Sequence, residues 1–183
     1  MTKRERTRAA LLQAAFELFA ERGYDATTTK AIADRAGVTE MTLFRHFPAK
    51  ASLVVDDPYD PLIADAVRAR PANEQAIVAA ARAVLDAWTA VEPPAVEAVR
   101  ERLRLVAETP SLLPALAAGS RETERAIGQA LVDRGDDRAT AGVVAASVVA
   151  GLNAALLQWA VRSDDDLGGA IAIAVHALAG GAE

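Results

Sequence analysis

Residues 27–47 read TTTKAIADRAGVTEMTLFRHF. Two short helices joined by a tight turn need a small residue where they cross and a residue that tolerates left-handed backbone in the turn. They also need apolar residues that hold the pair against a third helix. Ala33 meets the first need, Gly37 the second, and Ile32, Ala36, Val38, Leu43 and Phe47 the third. Thr27, Thr28 and Thr29 offer hydroxyls to cap the first helix of the pair, and Thr39 offers one to cap the second, over residues 40–46. With Leu43 and Phe47 turned inward, the outward positions of that second helix are Glu40, Met41, Thr42, Phe44, Arg45 and His46. A helix presented in this way fits the major groove of duplex DNA, its first residues toward base edges and its neighbours toward phosphate.

Upstream, Leu11, Leu12, Ala15, Phe16, Leu18 and Phe19 recur at spacings of three and four, which predicts a helix from Lys3 to Arg22 stopped by Gly23. Downstream, Pro48 interrupts the second helix of the pair and can start a fourth, since proline at a first helical turn forfeits no needed hydrogen bond. The stretch Asp56-Asp57-Pro58-Tyr59-Asp60-Pro61 then breaks the pattern. It divides a head, residues 1–56 with its helix-turn-helix at about 28–47, from a body, residues 57–183. The body is expected to hold helices over 62–69, 73–91, 95–108, 111–134, 138–162 and 165–179, punctuated by Pro71, Pro93-Pro94, Pro110 and Gly135. No alternating segment bounded by hairpin signals and no repeat interrupts this series, so the expected class is all-α.

Composition narrows the function. Cysteine is absent and aromatic residues make up 4% of the 183, which excludes disulfides and thiolate metal sites and disfavours strands. The net charge of −5 hides an asymmetry: residues 1–50 hold nine Lys/Arg against six Asp/Glu, whereas residues 51–183 hold eleven against nineteen. A basic head on an acidic body suits a protein that meets a polyanion with one end, because screening confines such fields to about 8 Å at physiological salt. The two histidines, His46 and His176, lack acidic partners at a spacing that would build a metal or acid–base site, so neither an enzyme nor a metal or cofactor is expected. Between Arg138 and Arg162 lie 23 uncharged residues, enough to span a bilayer. Thr140, Ser147, Asn153 and Gln158 interrupt them, and a buried helix at a subunit interface is the better reading. With no apolar signal segment at the N-terminus, a cytoplasmic protein is expected.

The string TLFRHFPAK at 42–50, with IADRAGV at 32–38, the helix before them and Pro48 to Leu53 after them, resembles the TetR/AcrR family of transcriptional regulators over about residues 4–56. The resemblance implies a three-helix DNA-binding head joined through helix four to a helical-bundle body that binds a ligand and dimerises. Such proteins usually repress transcription until a small molecule binds; an activator or a partner-controlled regulator on the same fold is the alternative. By matching position, Thr29 and Lys30, with Thr28 beside them, approach the sugar-phosphate backbone, and Glu40, Met41 and Thr42 face bases. Arg45 and His46 reach phosphate or base edges, and Lys50 sits near phosphate at the start of helix four. Two residues depart from the family pattern. Phe44 stands where a tyrosine commonly bonds phosphate, leaving packing against the backbone or a thymine methyl. Glu40 places a carboxylate in the groove, where its productive role is to accept a hydrogen bond from cytosine N4.

In the body, Trp88, Leu103, Val106, Leu116 and Trp159, with Leu112 and Leu113, could line an apolar effector pocket, although residues at helical spacing also serve as ordinary packing. The last two helices are the most apolar of the chain. Gly142, Ala146, Val149, Leu152, Leu156 and Val175 on them are the expected homodimer interface, in a four-helix bundle whose two-fold axis would match a palindromic operator.

Overall fold

A computed structural model describes residues 1–56, 60–89, 96–162 and 166–180. Among the described residues ten α-helices follow one another: α1 Lys3–Arg22, α2 Thr29–Arg35, α3 Glu40–His46, α4 Ser52–Val55, α5 Asp60–Ala69, α6 Ala76–Thr89, α7 Val96–Glu108, α8 Leu113–Arg134, α9 Arg138–Val161 and α10 Leu167–Ala179. A single 3-10 turn, Pro110–Leu112, precedes α8. The expected breaks at Asp57-Pro58-Tyr59 and Pro93-Pro94, and Asp165 as the start of the last helix, lie outside the described residues.

The first compact unit is residues 1–56 together with Thr109–Ala115. The main segment of this unit ends at 56, as expected, and a segment distant in sequence completes the head. Ser111 Oγ donates to Asp25 Oδ1 at 2.6 Å, and Leu112 is wholly buried. Leu11, Leu18, Ile32, Leu43 and Phe47 are also fully enclosed, each burial contributing about 1.5–3 kcal/mol relative to exposure. Thr2 begins α1 with a capping box completed by Glu5, and Gly23 ends it at φ +79°. Thr27 does not cap α2. It is buried, its hydroxyl directed at the carbonyls of Gly23 (2.8 Å) and Leu18 (3.2 Å).

The second unit comprises residues 57–108 and 116–183. Within it α9 packs against α10, α7 and α6, and α6 against α5 and α10. Alanines dominate the contact, with Ala79, Ala80, Ala81 and Ala83 of α6 fully enclosed, which lets the helices approach closely. At the end of α8, Gly135 takes φ +109° and Arg134, only 2% exposed, is fully engaged. It pairs with Asp136 and donates to the carbonyls of Pro71 and Glu74, both at 2.8 Å. This ties the α5–α6 connection to the α8–α9 turn. Asp137 then caps α9.

Candidate nucleic-acid interface

The helix pair is built as its sequence demands. Thr28 caps α2 by accepting from the Ala31 N–H, and Thr39 caps α3 by accepting from the Thr42 N–H. Between them Gly37 takes φ +69°, and the Val38 N–H closes back on the Ala33 carbonyl at 3.0 Å. Ile32 and Ala33 face inward from α2 and Leu43 from α3, fixing the crossing. Arg35 binds α2 to α1 through Glu17 (3.2 Å) and Glu21 (3.0 Å), and its guanidinium holds the Glu21 carboxyl below the usual range.

On the outer side of α3, Met41 is 80% exposed and Phe44 46%. Arg45 is exposed beside them, while Glu40, Thr42 and His46 are half-buried. Thr42's hydroxyl shares a 3.0 Å hydrogen bond with that of Thr39. Thr29 and Glu40, given separate tasks in the sequence reading, are brought together: the Thr29 hydroxyl donates to Glu40 Oε1. Lys30 is exposed and paired with Asp34 at 2.8 Å, which raises its pKa.

At the C-terminal end of α3 a cleft of about 550 Å³ is lined by Lys3, Arg4, Thr7, Arg45 and His46. Burial first, then Arg4, Arg45 and Arg8, hold the His46 imidazole below the usual histidine range. Arg8 itself lies over the Phe47 ring at 4.3 Å. Sequence reasoning missed the α1 side of this cleft. The available signal was the run Lys3-Arg4-Glu5-Arg6-Thr7-Arg8 at the N-terminus, which supplies four cations within two helical turns.

Lys50 requires correction. Lys50 leads into the fourth helix, Ser52–Val55: its carbonyl accepts from the Leu53 N–H, and that of Ala49 from the Ser52 N–H. Its ammonium instead points back beneath the α1–α2 connection, donating to the Tyr24 and Thr27 carbonyls, each at 2.9 Å, and resting 4.1 Å from the Tyr24 ring centre. The Tyr24 carbonyl also accepts from the Thr27 N–H at 3.1 Å, so the ammonium adds a second donor there. Burial pushes the ammonium below the usual lysine pKa.

Residues 11–56 match the family model described as bacterial regulatory proteins of the tetR family, and residues 74–183 match the MftR C-terminal domain. The HTH-type transcriptional regulator TcmR of Streptomyces glaucescens is 33% identical over 177 residues, covering 90% of this chain and 78% of the relative. The chain belongs to the TetR family. It is a DNA-binding transcriptional regulator and not an enzyme. Solved structures share the fold of this TetR-family protein. A TetR-family regulator of Streptomyces coelicolor A3 superimposes with a TM-score of 0.56 at 24% identity, over 97% of this chain and 95% of the other. Thermus thermophilus FadR, a transcriptional repressor solved in complex with lauroyl-CoA, gives 0.51 at 20% identity over 96% and 95%.

In the regulator's body Leu103 and Trp159 belong to one packed core, with Trp88 against it. Trp159 is 2% exposed, Leu103 and Val106 are buried, and Trp88 and Leu116 are half-buried. The Arg100 guanidinium stacks 4.4 Å from the Trp159 ring. Arg100 and Arg104 donate to the carbonyls of Arg162 and Ala160, an arrangement that suits the negative end of α9.

The interface residues divide. Val149 and Val175 belong to the protomer's own core, so these two are corrected from interface to interior, while Leu152 and Leu156 are half-buried against that core. Gly142 and Ala146 do face outward, in a stripe with Val143 (69% exposed), Ala150 and Ala154, and Ile173 of α10 is 62% exposed. α9 is apolar along its length, and much of it is left uncovered within the protomer.

Proposed function

We propose that this regulator is a homodimeric, cytoplasmic repressor that binds a palindromic operator through α3 and is released by a small, largely apolar effector held in its body. The observation that carries the DNA-reading face is the outer surface of α3. Met41 and Phe44 are apolar and bare to solvent there, beside Arg45 and the cationic cleft. Bare apolar side chains on a seven-residue helix suit thymine methyls and sugar edges, while the flanking cations suit phosphate. Thr28 and Lys30 at the start of α2 add to the positioning set.

Dimerisation is supported by the uncovered apolar stripe of Gly142, Val143, Ala146 and Ala150, together with Ile173. A two-fold pairing there would be isologous and would space two recognition helices by about one DNA turn, roughly 34 Å. The effector reading is supported by the lauroyl-CoA bound by Thermus thermophilus FadR, which shares the fold, and the half-buried Trp88 and buried Trp159 are the probes for it. Release requires that the effector bind the DNA-incompetent state more tightly, since equal affinity for both states shifts nothing.

Selection of bound duplexes from a random pool, followed by anisotropy titration, tests the reading. A palindromic motif and an affinity that falls steeply with salt are expected. Recovery of an asymmetric motif bound by a monomer would overturn the dimeric operator. Lauroyl-CoA and other apolar ligands are then screened by tryptophan quenching. Ligands that quench yet leave operator affinity unchanged would remove induction through that site.

A further inference from the structure

The Thr29 hydroxyl is directed along the helix pair rather than toward solvent: it donates to Glu40 Oε1, joining the first residue of α2 to the first residue of α3. A threonine has one O–H hydrogen, and a phosphate oxygen can only accept, so a Thr29 side chain engaged with Glu40 is not a phosphate ligand. Capping does not account for the contact, because Thr28 caps α2 and Thr39 caps α3. Glu40 is half-buried at the head of α3, and with Oε1 held it has a second oxygen, Oε2, to present. A carboxylate can only accept, and the amino groups in the major groove are cytosine N4 and adenine N6. Adenine offers N7 beside N6, and guanine offers N7 and O6, both acceptors that repel an anion; cytosine alone presents a donor without an acceptor on its own edge.

We propose that Thr29 is a positioning residue for base selection: by holding Glu40 Oε1 it aims Oε2 at a cytosine amino group and makes that position of the operator specific. This rests on the reading that α3 enters the major groove. Without the tether Glu40 is a freely rotating carboxylate close to phosphate, and its preference at that base weakens while contacts elsewhere persist. Replacing Glu40 by glutamine reverses the logic. The amide oxygen still accepts from Thr29, and the amide nitrogen becomes a donor, which favours bases presenting acceptors.

The test is duplex selection with the full-length wild type, Thr29→Val, Thr29→Ser, Glu40→Gln and the Glu40→Ala/Thr29→Val pair, followed by anisotropy on the selected site and its single-base variants at several salt concentrations. Wild type should prefer cytosine at one position of each half-site by on the order of tenfold. Thr29→Val should flatten that one position and leave the salt slope unchanged, Thr29→Ser should keep it, and Glu40→Gln should move the preference from cytosine to a base presenting an acceptor, adenine, guanine or thymine. In the Glu40→Ala background, Thr29→Val should change nothing further at that base. A Thr29→Val variant that keeps the cytosine preference, or that weakens all sequences equally with a shallower salt slope, overturns the positioning role, as does a Glu40→Gln motif identical to wild type. If substituting Met41 and Arg45 also leaves the motif untouched, the reading of α3 itself fails, and the two failures are told apart.

Discussion

Replacing Gly37 with alanine isolates the energetic cost of the turn that orients α3. At φ +69° an L-residue incurs about 1–2 kcal/mol of backbone strain. A Cβ built there meets no heavy atom within 4 Å, so no clash adds to that cost. Alanine also restricts the unfolded chain, which returns about 0.4–1 kcal/mol, leaving a net loss of about 1 kcal/mol. Gly119 provides the opposite sign from the same substitution. It lies inside α8 with a helical backbone and nothing within 4 Å of its built Cβ, so Gly119→Ala should stabilise by about 0.8–1 kcal/mol through helix propensity. The two tryptophans, Trp88 and Trp159, both lie in the body, so the head is followed by amide hydrogen exchange, under conditions where exchange reports the opening equilibrium. Gly37→Ala should accelerate exchange across α2 and α3 about fivefold. Gly37→Asn, with a side chain that tolerates the left-handed region, should recover part of the protection. Protection equal to wild type in Gly37→Ala, or asparagine no better than alanine, would refute the assignment of the turn's strain to this residue.

Lys50→Met should speed exchange of the amides around Tyr24 to Thr28 by about tenfold or more, since two charge-assisted hydrogen bonds are lost, each contributing about 1.5–3 kcal/mol. Unchanged protection with lost DNA binding would return Lys50 to a purely phosphate-contacting role. His46 starts from a pKa held below the usual range by burial and by Arg4, Arg45 and Arg8, and DNA phosphate at the cleft raises it. A bound-state pKa above the free-state value means proton uptake on binding, so operator affinity should rise as pH falls from the bound-state value toward the lower free-state value. His46→Gln should flatten that slope, and an identical slope in the variant would show that another group takes up the proton. Val143→Arg and Ile173→Arg, at exposed positions, should give folded monomers by light scattering with circular dichroism unchanged. Val149→Arg should instead lose helical signal at lower temperature, because an unpaired charge would be placed at a site 5% exposed. Dimers surviving both surface substitutions would move the interface elsewhere.

The head was legible where one residue type answers one geometric need. Gly23 and Gly37 both carry positive φ, and Thr28 and Thr39 both cap, because backbone sterics and orphan N–H groups admit few alternatives. The helices of the body were legible from their breakers. The facing of α9 was not. That helix is apolar all round, so periodicity offers no contrast between inward Val149 and outward Val143, and only packing against α6, α7 and α10 decides. Lys50 and the Thr29–Glu40 pair were hidden for another reason. A lysine reaching 23 to 26 residues back to main-chain carbonyls, or a threonine reaching 11 residues forward, leaves no trace in local spacing.

The inclusion of Thr109–Ala115 in the head bears on how such proteins can be recombined. A fragment ending at residue 56 would lack the Ser111 hydroxyl that meets Asp25 and the leucine at 112 that is wholly enclosed, whose burial is worth about 1.5–3 kcal/mol. A chimera made by one crossover at 56 would seat one parent's first 56 residues on the other parent's 109–115. Grafting this head onto a foreign body therefore demands that three chain junctions, after residues 56, 108 and 115, be transplanted as a set.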